Sequence, residues 1–160
     1  MAENSTKFPT LDALDRAILR ELQDDGRIPV TALSERVGLS ANATAERMRR
    51  MQRDGVIKGY SVRLSSAALG RGMTAFVEVK LDRTASDIFD AFAAAIREVD
   101  DVEECHMVAG GFDYLLKTRH WDMAAYRQFL ADTLLTLPGV RETRTYTVME
   151  VVAEGRALPV

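Results

Sequence analysis

The chain has 160 residues, of which 47% are hydrophobic and 28% charged, a composition typical of compact domains and not of a disordered chain. It contains no apolar run long enough to span a bilayer and no signal peptide, so we predict a cytoplasmic protein without a membrane partner. The single cysteine, Cys105, cannot form an intrachain disulfide, which agrees with a reducing compartment. With two histidines besides, the chain offers few ligands of the His/Cys kind, and we expect no metal and no cofactor.

The net charge of −3 is unevenly distributed along the chain. Residues 1–60 contain ten Lys and Arg against nine Asp and Glu, whereas residues 61–160 contain eleven against fifteen. Positive charge is concentrated in four arginines between positions 47 and 53. This asymmetry predicts two domains with separate functions, of which only the first suits a nucleic acid.

Two helices are predicted after a polar tail at residues 1–10. The first follows from the helical spacing of Leu11, Leu14, Ile18, Leu19 and Leu22, and it ends at Gly26. Thr31 is the predicted N-cap of the second helix, and Gly38 ends that helix.

A third helix is predicted from its N-cap Ser40 to Arg53, with Met48 and Met51 facing the core. Two short helices joined at residues 38–40 are typical of a helix-turn-helix, whose second helix enters the DNA major groove. The opposite face is predicted to carry Asn42, Ala43, Glu46, Arg47 and Arg50. A solvated helix face is the structural alternative for the arginines.

The start of such a helix usually reaches base edges, while later arginines usually meet phosphates. We therefore predict that Asn42, Ala43, Thr44 and Arg47 lie nearest the bases, with Arg50 and Arg53 on the backbone. The predicted DNA-binding residues are Ser40, Asn42, Ala43, Thr44, Arg47, Arg50 and Arg53.

Residues 56–64 follow as a predicted strand or wing, and a Ser/Ala/Gly-rich linker at 65–72 contains the predicted domain boundary. The hydrophobic period then changes from helical to strand-like. The further predicted elements are a strand at 73–81, a helix at about 85–98, strands at 102–108 and 113–119, a helix marked by Met123 to Leu137, and a strand at 141–152.

This order of elements predicts a ferredoxin-like βαββαβ domain, in which two helices cover one face of an antiparallel sheet. The fold class is therefore α+β, with a winged helix-turn-helix at 11–64, a linker at 65–72, a second domain at 73–152 and a tail at 153–160. The uncovered sheet face needs a partner, and a second copy of the chain supplies one, so we expect at least a homodimer.

An enzyme is not expected. Cys105 and His106 are adjacent on a predicted strand, so their side chains point to opposite faces and cannot act as a pair. The sequence also lacks a phosphate-binding loop and a dinucleotide-binding glycine motif. We predict no catalytic residue.

Three separated motifs resemble the leucine-responsive regulatory protein/AsnC (feast/famine) family of bacterial transcription regulators. They are the helix-turn-helix followed by residues 57–60 (IKGY), the segment 110–119 (GGFDYLLKTR) and the segment 137–152 (LPGVRETRTYTVMEVV). The resemblance implies a DNA-binding, nucleoid-associated regulator whose second domain binds a free amino acid and forms dimers, often assembled into octamers.

The resemblance also implies an effector site at the turn after the second strand of that domain and on the last strand. Its residues here are Gly110, Gly111, Phe112, Asp113, Thr145, Tyr146 and Thr147. Asp113 could meet the ammonium group of an amino acid, and backbone N–H groups of the turn its carboxylate. An ordinary hairpin turn and ordinary strand threonines are the structural alternatives.

The chain departs from close relatives at two places. Ala41 and Ala43 stand where those relatives usually have prolines, and Gly111 stands where they usually have an acidic or amide residue. The first change bears on base preference and the second on the effector pocket. We predict an amino-acid-responsive regulator of amino-acid transport or catabolism genes, with a ligand-independent DNA-organising protein as the alternative and a small amino-acid-metabolising enzyme as the last choice.

Overall fold

The computed structural model describes residues 9–83, 85–155 and 157–160. The chain divides into two compact units, the first ending at Arg63 and including Ala153–Val160, the second comprising Leu64–Val152. The division falls just before the predicted linker. Of the predicted N-terminal tail, residues 1–8 lie outside the described residues. No helix within the described ranges is long and apolar enough to cross a membrane.

The first unit contains the three predicted helices: α1 (Ala13–Asp24), α2 (Val30–Val37) and α3 (Ala41–Arg53). A capping box starts α1, in which Asp15 N donates to Asp12 Oδ1 at 2.8 Å and Asp12 N donates to Asp15 Oδ2 at 3.1 Å. The three helices bury Ile18, Leu19, Leu33 and Met51 as their common core. Hydrophobic periodicity therefore placed all three helices correctly.

Of the three predicted caps of α2 and α3, two are confirmed and one is wrong. Gly38 ends α2 with φ of 68°, and Ser40 Oγ accepts from Ala43 N at 3.2 Å at the start of α3, as predicted. The prediction of Thr31 as N-cap is wrong, because Pro29 occupies that position in an extended conformation and Leu33 N donates to Pro29 O. Thr31 thus lies within the first turn of the helix.

Residues 56–64 do not form the predicted strand. A strand requires a hydrogen-bonded neighbour, and no described segment pairs with these residues. The N–H groups of Val56 and Ile57 instead donate to Met51 O at 2.9 and 3.0 Å, which closes the end of α3. The predicted C-terminal tail is also not free, because Arg20 donates twice to Val160 O, at 3.1 and 3.0 Å, and Val160 packs on the first core.

The second unit is the predicted ferredoxin-like arrangement. Its strands are β1 (Met73–Leu81), β2 (Val102–Met107), β3 (Tyr114–His120) and β4 (Val140–Thr147), and its helices are α4 (Ser86–Ile96) and α5 (Met123–Asp132). The sheet order is β2-β3-β1-β4, and all pairs are antiparallel. The alternation predicted for β1 is confirmed, since Ala75, Val77, Val79 and Leu81 are buried beneath the helices.

Two elements of this unit, α5 and β4, end about five residues before their predicted ends. The helix after β3 ends at Asp132, because Thr133 leaves the helical region, and a separate 3₁₀ turn follows at Leu134–Thr136. The last strand ends at Thr147 and not at 152. Its partner β1 begins at Met73, so the final ladder contact is Val148 N donating to Thr74 O at 2.9 Å.

Candidate DNA interface and ligand pockets

The inner face of α3 is defined by Thr44 and Met51, which are 0% and 1% exposed. The residues opposite them are spaced at i, i+4, i+7 and i+11 and so share one face of the helix. These four residues, which we call the outer stripe, are all exposed: Asn42, Glu46, Arg49 and Arg53. The outer stripe is the face that α3 presents away from its own core.

Arg47 and Arg50 do not belong to the outer stripe but turn toward α1. Arg47 Nη1 lies 2.7 Å from Asp12 Oδ2 and 2.9 Å from Asp15 Oδ1, and Arg50 donates to Asp15 Oδ2. The Asp15 side chain is only 1% exposed. The hydrogen bonds that Arg47 donates to Asp12 and Asp15 raise the pKa of its guanidinium, so Arg47 stays positively charged. These ion pairs fasten α3 to α1.

The structure differs in two respects from the predicted DNA-binding residues and outward face of α3. Thr44 is fully buried, and its hydroxyl donates to Ser40 O at 3.1 Å, so it belongs to the core and does not face outward. Arg47 faces α1, whereas Arg49, left out of the predicted site, lies on the outer stripe. The core side of α3 was predicted from Met48 and Met51, of which Met51 is buried and Met48 only half-buried, so the true core face is turned toward Thr44 and Met51.

Glu46 holds both arginines of the outer stripe. Its carboxylate lies 2.9 Å from Arg49 Nη2 and 3.2 Å from Arg53 Nη2. Hydrogen bonds from Arg49 and then Arg53 lower the pKa of Glu46, so the carboxylate is charged at neutral pH. All three side chains are largely exposed, and such pairs contribute little stability in water. They are therefore easily rearranged when a phosphate approaches.

The turn between β2 and β3 does not need a glycine in the left-handed region, because neither Gly110 nor Gly111 has a positive φ. Backbone hydrogen bonds stabilise it instead. Val108 N donates to Asp113 O, and Asp113 N donates to Val79 O, each at 3.0 Å. The Asp113 carboxylate accepts from Leu81 N at 2.8 Å. Asp113 thus fastens the turn to β1, a structural task that the sequence did not predict.

A pocket of about 410 Å³ opens beside this turn, on the sheet face away from the helices. It is lined by Glu78, Lys80, Gly111, Phe112, Glu142, Thr143 and Arg144. Two of the predicted effector residues, Gly111 and Phe112, are part of the lining. The pocket also contains two acidic side chains, Glu78 and Glu142, and two basic ones, Lys80 and Arg144. None of the four was predicted, because they come from two strands far apart in the chain.

The predicted β4 residues fall on both faces of the sheet. Thr145 hydrogen-bonds with the Tyr126 hydroxyl on the helix side, whereas the Tyr146 hydroxyl donates to Glu78 Oε1 at 3.0 Å on the opposite side. Thr147 ends the strand opposite Ala75. None of the three lines the pocket. Only Tyr146 approaches it, through Glu78.

Cys105 and His106 lie on opposite faces of β2, as predicted: Cys105 pairs with the buried Leu116, while His106 is exposed and contacts Glu104 at 3.0 Å. Burial raises the pKa of the Cys105 thiol, so the reactive thiolate is disfavoured. The arrangement supports no nucleophilic chemistry.

His120 is a buried titratable group of the second unit. Its ring packs against Tyr126 and Phe129, with centroids 5.2 and 4.8 Å away. Desolvation lowers its pKa below 6.5, opposed by nearby Asp101 and reinforced by Arg71. Within the described part of the chain, its Nε2 atom has no hydrogen-bond partner.

We expect His120 to make the second unit acid-sensitive. Because its folded-state pKa lies below the unfolded value of 6.5, the unfolded chain takes up the proton first as pH falls. The stabilisation present above pH 6.5 is then lost as pH falls toward the folded-state pKa, by about 1.4 kcal/mol for each tenfold difference in proton affinity between the folded and unfolded chains. Urea unfolding monitored at Trp121 should show this slope in the wild type and a flatter one in His120→Phe; equal slopes would contradict the assignment.

Two family models match the chain. Residues 11–58 match a winged helix-turn-helix DNA-binding domain, and residues 74–158 match the Lrp/AsnC ligand binding domain. The first match covers α1 to α3, and the second covers the ferredoxin-like unit.

Individual relatives agree with both models. The chain is 52% identical to the leucine-responsive regulatory protein of Salmonella typhimurium over 148 residues, 92% of this chain and 90% of that one. A Neisseria meningitidis transcriptional regulator in complex with L-Met is 35% identical, with a TM-score of 0.88 and coverage of 94% and 97%. A Mycobacterium tuberculosis feast or famine regulatory protein complexed with L-methionine is 32% identical, with a TM-score of 0.84 and coverage of 93% and 99%. The chain therefore belongs to the Lrp/AsnC family of transcription regulators, DNA-binding proteins and not enzymes.

Proposed function

We propose that this protein regulates transcription in response to a free amino acid, and that its targets are genes of amino-acid transport or catabolism. The observation that carries the DNA part is the outer stripe of α3, which is exposed, carries two arginines and lies opposite the buried Thr44 and Met51. The effector part is supported by the charged pocket beside the β2–β3 turn and by the methionine complexes of the two related regulators.

In this proposal the exposed start of α3 meets the bases, through Ser40, Asn42 and Ala43, and Arg49 and Arg53 meet phosphates. Arg50 is partly exposed and can reach the same backbone with the donors that Asp15 leaves free. Arg47 is a positioning residue, since both of its carboxylate partners lie at the start of α1.

Glu46 is expected to restrain DNA binding. Its charge offsets those of Arg49 and Arg53, so Glu46→Gln should raise affinity for random-sequence DNA several-fold and steepen the salt dependence. Fluorescence anisotropy across a salt series measures both quantities. Glu35→Gln removes an exposed carboxylate of α2 and serves as the control. Weaker binding of a specific operator by Glu46→Gln would instead show that Glu46 reads a base, as carboxylates do at cytosine N4.

The pocket beside the turn suits an amino acid because it offers both charges at once. Glu78 and Glu142 can accept hydrogen bonds from an ammonium group, while Lys80 and Arg144 can bind a carboxylate. Phe112 provides an apolar wall for a side chain. Asp113, predicted as the ammonium partner, already accepts from Leu81 N and is proposed to shape the turn instead.

A thermal-shift screen against the twenty amino acids tests the effector proposal, because a ligand that binds only the native state raises the melting temperature by mass action. We expect one or a few amino acids to do so, and Arg144→Ala to weaken that response by about tenfold or more, since hydrogen bonds between charged groups contribute about 1.5–3 kcal/mol. Arg127→Ala, an exposed change on α5, is the control. An unchanged response in Arg144→Ala would remove this pocket from the proposal.

A ligand-independent DNA-organising protein is the alternative function. Oligomers that wrap DNA protect long footprints, because bending is repaid by added contacts along the helix. Footprint length and sensitivity to amino acids separate the two functions. A long footprint that no amino acid alters would favour the alternative.

A further inference from the structure

A second polar pocket, of about 280 Å³, lies along one face of α5 in the ferredoxin-like unit. Its lining comes from the end of β3, from α5, and from Arg71 and Asp101, which precede β1 and β2. The lining residues are Arg71, Asp101, His120, Trp121, Ala125, Gln128, Phe129, Asp132 and Thr133. The proposed effector pocket adjoins Phe112, before β3, whereas this one adjoins His120, where β3 ends. Seven residues of strand separate them, roughly 20 Å. The two pockets are therefore different sites.

Two hydrogen-bond acceptors of this α5 pocket, the Asp132 carboxylate and the Nε2 atom of His120, have no partner among the described residues. Its one basic side chain, Arg71, is held by Asp101 at 2.5 Å. Asp132 has no ion pair within the described ranges, and its carboxylate is exposed. His120 Nε2, buried and without a partner among the residues described, adds a ring nitrogen that accepts when the other nitrogen carries the proton. Desolvation lowers the pKa of His120, which keeps the ring neutral and able to accept.

An aromatic surface completes the pocket. Trp121 is 64% exposed, and its ring lies directly against Gly70, where an added Cβ would come within 1.9 Å of the ring. The ring is thereby held in place while one side remains open. Tryptophan is the aromatic side chain that attracts cations best over its face. The pocket thus combines a carboxylate, a neutral imidazole and an exposed indole ring. These groups together favour a positively charged hydrogen-bond donor.

We propose that the α5 pocket binds a small organic primary ammonium group, which donates hydrogen bonds to Asp132 and His120 and packs beside Trp121. Gln128, one turn before Asp132 on the same helix face, offers its amide oxygen as a further acceptor. This site does not depend on the proposed amino-acid effector pocket. A simple amine and a free amino acid share the required chemistry.

Trp121 is the only tryptophan of the chain, so its fluorescence reports on this pocket directly. The full-length protein is titrated at pH 7.5 with 3-methylbutylamine, with L-leucine, and with 4-methylpentanoate, which lacks the ammonium group. We expect a saturable change in the millimolar range with the amine, confirmed by calorimetry, and none with 4-methylpentanoate. If both leucine and the amine bind, the pocket accepts amino acids and simple amines alike. If only leucine binds, its natural ligand is an amino acid. Either result supports an ammonium site.

Asp132→Asn should weaken binding by about tenfold or more, since it removes a charged hydrogen bond from an exposed position. Asp90→Asn, an exposed carboxylate on α4, and Arg144→Ala, in the effector pocket, should leave it unchanged. Lowering the pH far enough to protonate His120 should also weaken binding, because a protonated imidazole cannot accept a hydrogen bond. Asp101, Arg71, Tyr126 and Asp132 are the titratable groups around that ring. No binding of either ammonium compound, equal binding of 4-methylpentanoate, or full affinity in Asp132→Asn would overturn the proposal.

Discussion

Replacing Asp15 by alanine is expected to lower the free energy of unfolding of the helix-turn-helix unit by about 3 kcal/mol. The Asp15 carboxylate is buried and serves three partners at once: the N–H of Asp12, Arg47 and Arg50. The substitution removes half of the capping box, the hydrogen bond from Asp12 N to the Asp15 carboxylate, and leaves two half-buried guanidinium groups without their shared acceptor. Of the ion pairs between α3 and the start of α1, only Arg47–Asp12 then remains.

Hydrogen exchange of the full-length protein separates this effect from any change in the second unit. Amides of α1 and α3 should lose protection in Asp15→Ala, while the urea transition seen at Trp121, which lies in the second unit, should not move. Glu21→Ala is the matched control on the same helix. Its carboxylate pairs with the exposed Arg36 at 2.7 Å, and such pairs contribute about 1 kcal/mol or less. Equal loss of protection in the two variants would contradict the role given to Asp15.

The double variant Arg49→Ala/Arg53→Ala is expected to bind DNA about 100-fold more weakly near 0.1 M salt. Each phosphate contact releases close to one counterion, so each lost contact lowers the salt slope by about 0.9 and the affinity by about tenfold at that salt concentration. Both arginines are exposed, and among the described residues Glu46 is their only ion-pair partner. The fold should therefore be unaffected. The loss should be similar for specific and random sequences, because phosphates carry no sequence information.

The control for this variant removes the same charge from another place. Arg97→Ala/Arg127→Ala lowers the net charge by two in the second unit, at exposed positions of the α4 C-cap and of α5. It should leave the salt slope unchanged. If the two double variants lose affinity equally, the effect comes from total charge and the outer stripe is not the DNA-binding surface.

The order of elements could be predicted from the sequence because it follows from local patterns. Helical spacing between Leu11 and Leu22, glycine at position 38 and serine at position 40 all act within one or two turns of chain. The alternation of β1 likewise identified the buried face of the sheet. The family resemblance added the function, since three motifs spread over the whole chain do not follow from periodicity.

The sites depended on contacts that local patterns do not contain. Arg47 and Arg50 turn toward Asp15, which precedes them by more than 30 residues, so only the packing of α1 on α3 could decide which arginines face outward. The position of Asp113 beside Leu81 depends in the same way on the pairing of β3 with β1.

The sequence by itself thus determined the helices and the order of strands along the chain, because hydrophobic period and capping residues act over short stretches of chain. Its three motifs determined the class of regulator, through their resemblance to a known family. Only the tertiary structure decided that Thr44 is buried, that no described segment pairs with residues 56–64, and that His120 is enclosed next to a pocket lined by carboxylates. A side chain's partner, exposure and charge state are set by residues distant in sequence, and those are brought together only by folding.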